Sequence, residues 1–191
     1  MIRATLCSRN AHKARELEAL LPGWAIEPLA AEGYPDETGT TYSENALLKA
    51  AFGQRHVDGW TIGEDSGIEV AALGGRPGLH SARYAPEGAP AIAKLLGELV
   101  GLEDRRARYV SELVAIAPGG TILRGTGIVE GTIAEGPKGS GGFGYDPIFV
   151  PTGQHLTVAE LGDGWKNEHS HRARSVRALR EALERSGLLA G

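Results

Sequence analysis

The sequence predicts an α/β fold on a mixed sheet, and three patterns carry that prediction. Short apolar runs alternate with stretches whose apolar residues recur every three to four positions. Two long strand-like runs meet at Pro118-Gly119-Gly120, a hairpin signal that argues against a purely parallel sheet. Polar or glycine-rich segments sit where these runs stop, as they do at ligand sites of open α/β folds.

Taken in order, Ile2–Leu6 reads as a strand, Ser8–His12 as a polar loop, and the chain from Lys13 to Pro22 as a helix with Leu17, Leu20 and Leu21 on one stripe. Trp24–Leu29 is a second strand. Thr41 and Glu44 have capping-box spacing and open a helix through Ala46, Leu47, Ala50 and Ala51 to about Gly53. Trp60–Gly63 is a strand running into Glu64-Asp65-Ser66-Gly67, and Ile68–Leu73 resumes the apolar run. Residues 89–99 form a helix, Tyr109–Ala117 and Thr121–Ile133 the hairpin, and Pro147–Val150 a short strand. His169–Ser186 closes the series as a helix, with Ser170 a candidate start.

At 191 residues the chain is long enough for one domain, residues 1–191, with a core of its own. Glycine is abundant, 28 residues where about 13 are usual, and follows no collagen period. A net charge of -4 argues against nucleic acid or an anionic membrane as partner. The opening MIRATLCSRN lacks the apolar run of a signal peptide, and no stretch reaches about 18 apolar residues, so a soluble, non-exported protein is expected. The single cysteine, Cys7, cannot form an intrachain disulfide and reads as a buried thiol.

Four polar segments can carry chemistry. Ser8, Arg9, Asn10 and Lys13 lie at a helix amino end, where unpaired N–H groups favour an anion; a helix cap at Asn10 with a solvated Lys13 explains them equally well. Asp36, Glu37, Glu44, Glu64 and Asp65 are hard oxygen donors suited to magnesium, although Glu44 is already explained as a cap. Neighbours on a strand face opposite ways, so Glu64 and Asp65 should do different work. In Gly139–Asp146, the glycines permit close backbone approach, Phe143 offers a flat face for a base, and Asp146 can accept from ring N–H groups. The alternative is a hairpin loop with Tyr145 packed. Lys166 to Arg172 places His171 and Arg172 at a helix start, where a cation needs a reason such as a ligand. The spacing fits neither a Walker loop, a dinucleotide fingerprint, a serine-hydrolase elbow nor a zinc set.

Five stretches in order, SRNAHKARELEALL, ETGTTYSENALLKA, EDSGIEVAALGGRPGLHSARYA, GGFGYDPIFVP and KNEHSHRARSVRAL, make the chain resemble the inosine/xanthosine triphosphate pyrophosphatases over essentially its whole length. The resemblance implies an elongated mixed α/β domain of two lobes with a central nucleotide cleft, a cytoplasmic homodimer, and a magnesium-dependent reaction. In it, ITP, dITP or XTP would become the nucleoside monophosphate and pyrophosphate. It further implies that Ser8, Asn10, Lys13 and Lys49 take the phosphates and that Asp65 is the general base and a metal ligand. Ser66 would follow Asp65 into the site, and Glu37, with Asp36 as competitor, would be the second metal-side acid. Phe143, Gly144, Tyr145 and Asp146 would hold the base, while Lys166, His171 and Arg172 would read the purine oxygens. Two residues depart from the family pattern. Arg9 stands where glycine is usual, so either the turn tolerates a side chain or Arg9 adds a phosphate contact. Glu64 stands for the first aspartate of Asp-Asp-Ser-Gly, with the same charge and a longer reach.

Overall fold

The computed structural model describes residues 1–8 and 10–188. Six strands form one sheet in the order β2-β1-β3-β4-β5-β6: β1 Ile2–Leu6, β2 Trp24–Pro28, β3 Trp60–Val70, β4 Arg106–Ile116, β5 Ile122–Ile133 and β6 Phe149–Pro151. β1 runs parallel to β2 and β3, whereas β6 runs antiparallel to β5, so the sheet is mixed as predicted. The helices are α1 Ala11–Leu20, α2 Tyr42–Gln54, α3 Ala89–Glu98, α4 Val158–His169 and α5 His171–Ser186. Among the described residues, no helix is long and apolar enough to cross a membrane.

Two elements differ from the sequence reading. β3 continues through Glu64-Asp65-Ser66-Gly67 without a break. Buried carboxylates survive inside a strand only if each finds a cationic or hydrogen-bonding partner, and both do. Residues 158–169 form α4, which the sequence reading passed over; Thr157 and Glu160 make its capping box, and Gly162 interrupts it. Ser170 ends α4 in extended geometry, which sets His171 and Arg172 in the first turn of α5.

The chain divides into two compact units, with boundaries inside β3, β4 and β5. Unit 1 comprises residues 1–65, 111–127 and 171 onward. Its core joins Leu6, Leu17, Leu21, Ile26, Ile62, Leu113, Leu179 and Leu183, the predicted stripes of α1 and α5 included. Cys7 is buried in this unit, and burial pushes its thiol up to about 11, so it is an inert core group. α5 lies directly on β5: a Cβ on Gly127 would sit 1.9 Å from the His171 carbonyl oxygen, and one on Gly125 2.1 Å from that of Ser175. Only glycine permits that approach. Unit 2 comprises residues 66–110 and 128–170, and packs Ile92 and Leu95 of α3, with Leu99 at its carboxyl end, against Ile68, Val70, Ile133, Ile148 and Phe149.

Candidate active site

The polar groups of unit 1 gather where β1 and β3 meet α1, α2 and α5. Asn10 is the cap of α1: its Oδ1 accepts the His12 and Lys13 N–H groups at 2.9 and 3.3 Å, and the Ser8 hydroxyl accepts the Asn10 N–H at 3.2 Å. The capping alternative therefore accounts for Asn10. Arg9 lies outside the described residues. Lys13, which the resemblance directs to phosphate, pairs with Glu64 across the helix–strand contact.

Glu64 and Asp65 are both buried and face different partners, as strand alternation requires. The Glu64 Oε1 accepts from the Arg172 Nη2 at 3.0 Å and from the Ser111 hydroxyl at 3.3 Å. Ser111 in turn shares a 3.0 Å hydrogen bond with Ser175 of α5. Burial alone would push the Glu64 carboxyl up, but Lys13, Arg172 and Lys49 hold it well below the usual range. The longer reach of glutamate over aspartate is what carries this carboxylate to α5.

Arg172, which the resemblance directs to the purine oxygens, has carboxylate partners in this structure. Its side chain is only 2% exposed, and the guanidinium is clasped by Glu16 and Glu64. A cation in the first turn of a helix needs a partner, and Arg172 has two carboxylates of unit 1. Glu16 was missed in the sequence reading; its place one turn after Lys13 in α1 was the available signal. His171 is likewise buried at the start of α5.

Asp65 lies against α2. Its Oδ2 accepts from the Asn45 amide at 3.0 Å and its Oδ1 from the Lys49 ammonium at 3.0 Å. The same ammonium pairs with Glu37 and donates to the Glu64 carbonyl oxygen at 3.2 Å. Burial raises the Asp65 carboxyl, Lys49 lowers it and Glu37 raises it, and the net direction is upward. Burial likewise pulls the Lys49 ammonium down, yet Asp65 and Glu37 more than offset it. Of the two acids that compete for the metal side, Glu37 reaches Lys49, whereas Asp36 is exposed. Among the described residues no three metal-ligating side chains cluster. Two carboxylates and a carbonyl around one point are still a fitting donor set for magnesium, which commonly takes one or two carboxylates and completes its shell with water and phosphate.

Unit 2 holds the base-side residues. Asp146 also differs from expectation. Its Oδ2 accepts the Phe143 N–H and the Lys166 ammonium, both at 2.9 Å, while the Tyr109 hydroxyl donates to its Oδ1 at 3.4 Å. Asp146 therefore shapes the loop instead of presenting a bare acceptor. Gly142, at φ 71°, makes room for it: a Cβ there would stand 2.1 Å from the Asp146 Oδ2. Lys166 lies 4.7 Å from the centroid of the Phe143 ring, a cation–π pair on the loop. Tyr145 is packed, as the alternative reading had it, with its hydroxyl 3.4 Å from the Ser81 carbonyl oxygen. Gly144 lies in the same turn and Ser66 is half-buried in β3. Between α3 and this loop is a cavity of about 540 Å³, lined by Ile92, Leu96, Phe143 and Pro147 among others.

The described residues form a mixed-sheet α/β protein with buried lysine–carboxylate pairs in unit 1 and, separately, a glycine-rich loop bearing Phe143 in unit 2. Comparison narrows that class: the chain belongs to the Ham1 family, whose model matches residues 4–182. It is 44% identical to the dITP/XTP pyrophosphatase of Geobacillus kaustophilus, covering 96% of this chain and 95% of the relative. It is 41% identical to the dITP/XTP pyrophosphatase of Gloeobacter violaceus, covering 94% and 93%. The solved Ham1 protein of Staphylococcus aureus superposes with a TM-score of 0.84 at 35% identity, covering 96% of this chain and 99% of that one.

Proposed function

We propose that this chain hydrolyses the non-canonical purine nucleoside triphosphates ITP, dITP and XTP to the nucleoside monophosphate and pyrophosphate. Its relatives, named as dITP/XTP pyrophosphatases over nearly their whole length, support that reaction. The observation that carries the reading is the buried Asp65 beside Lys49 and Glu37. Within unit 1, this reading assigns the triphosphate to Lys13 and Lys49.

Glu37 and Asp65 would hold magnesium, which when bound would neutralise charge on the triphosphate and polarise the anhydride. The chain's own groups do the rest. Asp65, raised by burial, takes a proton from a water molecule as that water's oxygen bonds to the α-phosphorus; the bond to the bridging oxygen breaks, and pyrophosphate leaves with that electron pair. Lys49, on a flexible stem, follows the negative charge onto the departing phosphates. No covalent enzyme intermediate is needed. Phe143 stacks on the purine, and Lys166 donates to the C6 oxygen of hypoxanthine or xanthine. Adenine presents an amino group there, and leaving a buried donor unpaired costs about 1–3 kcal/mol. The resemblance alone supports a cytoplasmic homodimer.

The test is pyrophosphate release over a nucleotide panel with and without divalent cation. ITP, dITP and XTP should be turned over far faster than ATP or GTP, with magnesium or manganese sufficient and calcium poor. Asp65→Asn should cut the rate by about 10²–10⁴-fold while the chain stays folded. Full activity after exhaustive chelation, or more than a tenth of the rate in Asp65→Asn, contradicts the assignment.

A further inference from the structure

The Lys49 ammonium is met by three oxygens: Glu37 Oε1, Asp65 Oδ1 at 3.0 Å and the Glu64 carbonyl oxygen at 3.2 Å. An ammonium has three N–H donors and no acceptor, so three oxygens use its whole capacity. Two carboxylates and a carbonyl are also hard oxygen donors of the sort that bind a small divalent cation. The other Asp65 oxygen is engaged by Asn45 at 3.0 Å, and Glu64 spends its side chain on Lys13, Arg172 and Ser111. A metal bridging Glu37 and Asp65 through the oxygens that face each other would therefore fall where the Lys49 ammonium sits. Two cations cannot share that point.

We propose that the Lys49 ammonium keeps the place of the divalent cation between Glu37 and Asp65, so that the metal enters only as a polyphosphate draws Lys49 away. This rests on the metal-side reading of Glu37 and Asp65 given above and adds an order to it. The lysine neutralises two neighbouring carboxylates whose mutual repulsion would otherwise be unrelieved, and its four-carbon stem lets the ammonium swing without moving α2. The device makes free metal a poor ligand and metal with triphosphate a good one. The two carboxylates are thus protected from occupation by a cation that brings no substrate.

Manganese binding without any nucleotide tests this, read from the loss of the free-ion electron paramagnetic resonance signal on titration with the full-length chain. Wild type should bind manganese weakly. Lys49→Met should bind at least tenfold more tightly, and adding Glu37→Gln to that variant should remove the gain. Lys49→Arg keeps the positive charge and should bind as weakly as wild type, which ties the gain in the methionine variant to removal of that charge; tight binding by Lys49→Arg would count against the place-holding role. Equal affinity in wild type and Lys49→Met would overturn the place-holding role while leaving the metal site intact. Absence of manganese binding in every variant would overturn both the role and the metal-side reading. The nucleotide panel reports separately on the reaction.

Discussion

Arg172 shows how a residue can be marked in the sequence while its neighbours in the fold stay hidden. Its position at the start of a helix was legible, because Ser170 and the apolar period from Val176 to Leu183 fix where α5 begins. Its neighbours were not, since Glu16 and Glu64 are 156 and 108 residues away in sequence and no local spacing relates them. Asp146 taught the same lesson within one loop: the sequence gives an acceptor, but only the folded turn reveals that the Phe143 N–H and Lys166 claim it. Asp65 and Lys49, by contrast, were marked through whole motifs, and the structure brings them together. From its burial, Arg172→Ala should destabilise the protein by about 3–5 kcal/mol, because two carboxylates lose their cation. Its effect on turnover should be similar for ITP and ATP, and Arg172→Lys should be intermediate. Urea unfolding beside steady-state kinetics decides it; unchanged stability with a loss confined to ITP would return Arg172 to the purine.

Elements were read best where one period ran unbroken. α1, α3 and α5 carry leucine or isoleucine stripes that both predict the helix and form its buried face. α4 escaped because Gly162 and Gly164 interrupt its pattern, although Thr157 and Glu160 already spelled a capping box. The chemistry-bearing stretch of β3 read as a strand end for a related reason, since charge pairs that make a strand interior tolerable are invisible in one dimension. The seat of α5 on β5 depends on missing side chains. Gly127→Ala should push α5 outward, since its Cβ would stand 1.9 Å from a backbone oxygen that cannot rotate aside. A loss of about 1–3 kcal/mol is expected, with a weakened Glu64–Arg172 contact. A melting temperature equal to that of wild type would show that the helix yields without strain.

The whole molecule feels these charges through its acid stability. Glu64 keeps its proton off in the native state well below the ordinary value of 4.5, so the unfolded chain binds that proton first. Its contribution is complete above about pH 5 and is lost as pH falls through the native titration. Asp65, raised in the native state, works in the opposite sense: its contribution is present below the ordinary value of 3.8 and is lost as pH rises. Glu64→Gln should therefore flatten the fall of the urea midpoint between about pH 5 and pH 3, and an unchanged slope would remove Glu64 as the sensor. The division of the chain has a consequence for its synthesis. Unit 2 has all its segments once Ser170 has left the ribosome, whereas unit 1, whose Met1–Asp65 segment precedes them, still lacks α5. Until then Glu16 and Glu64 have no guanidinium, and Leu17 and Leu21 lack Leu179 and Leu183. The Met1–Asp65 segment thus waits for unit 2 to be made before it can close, and the charge that completes its polar centre arrives with α5.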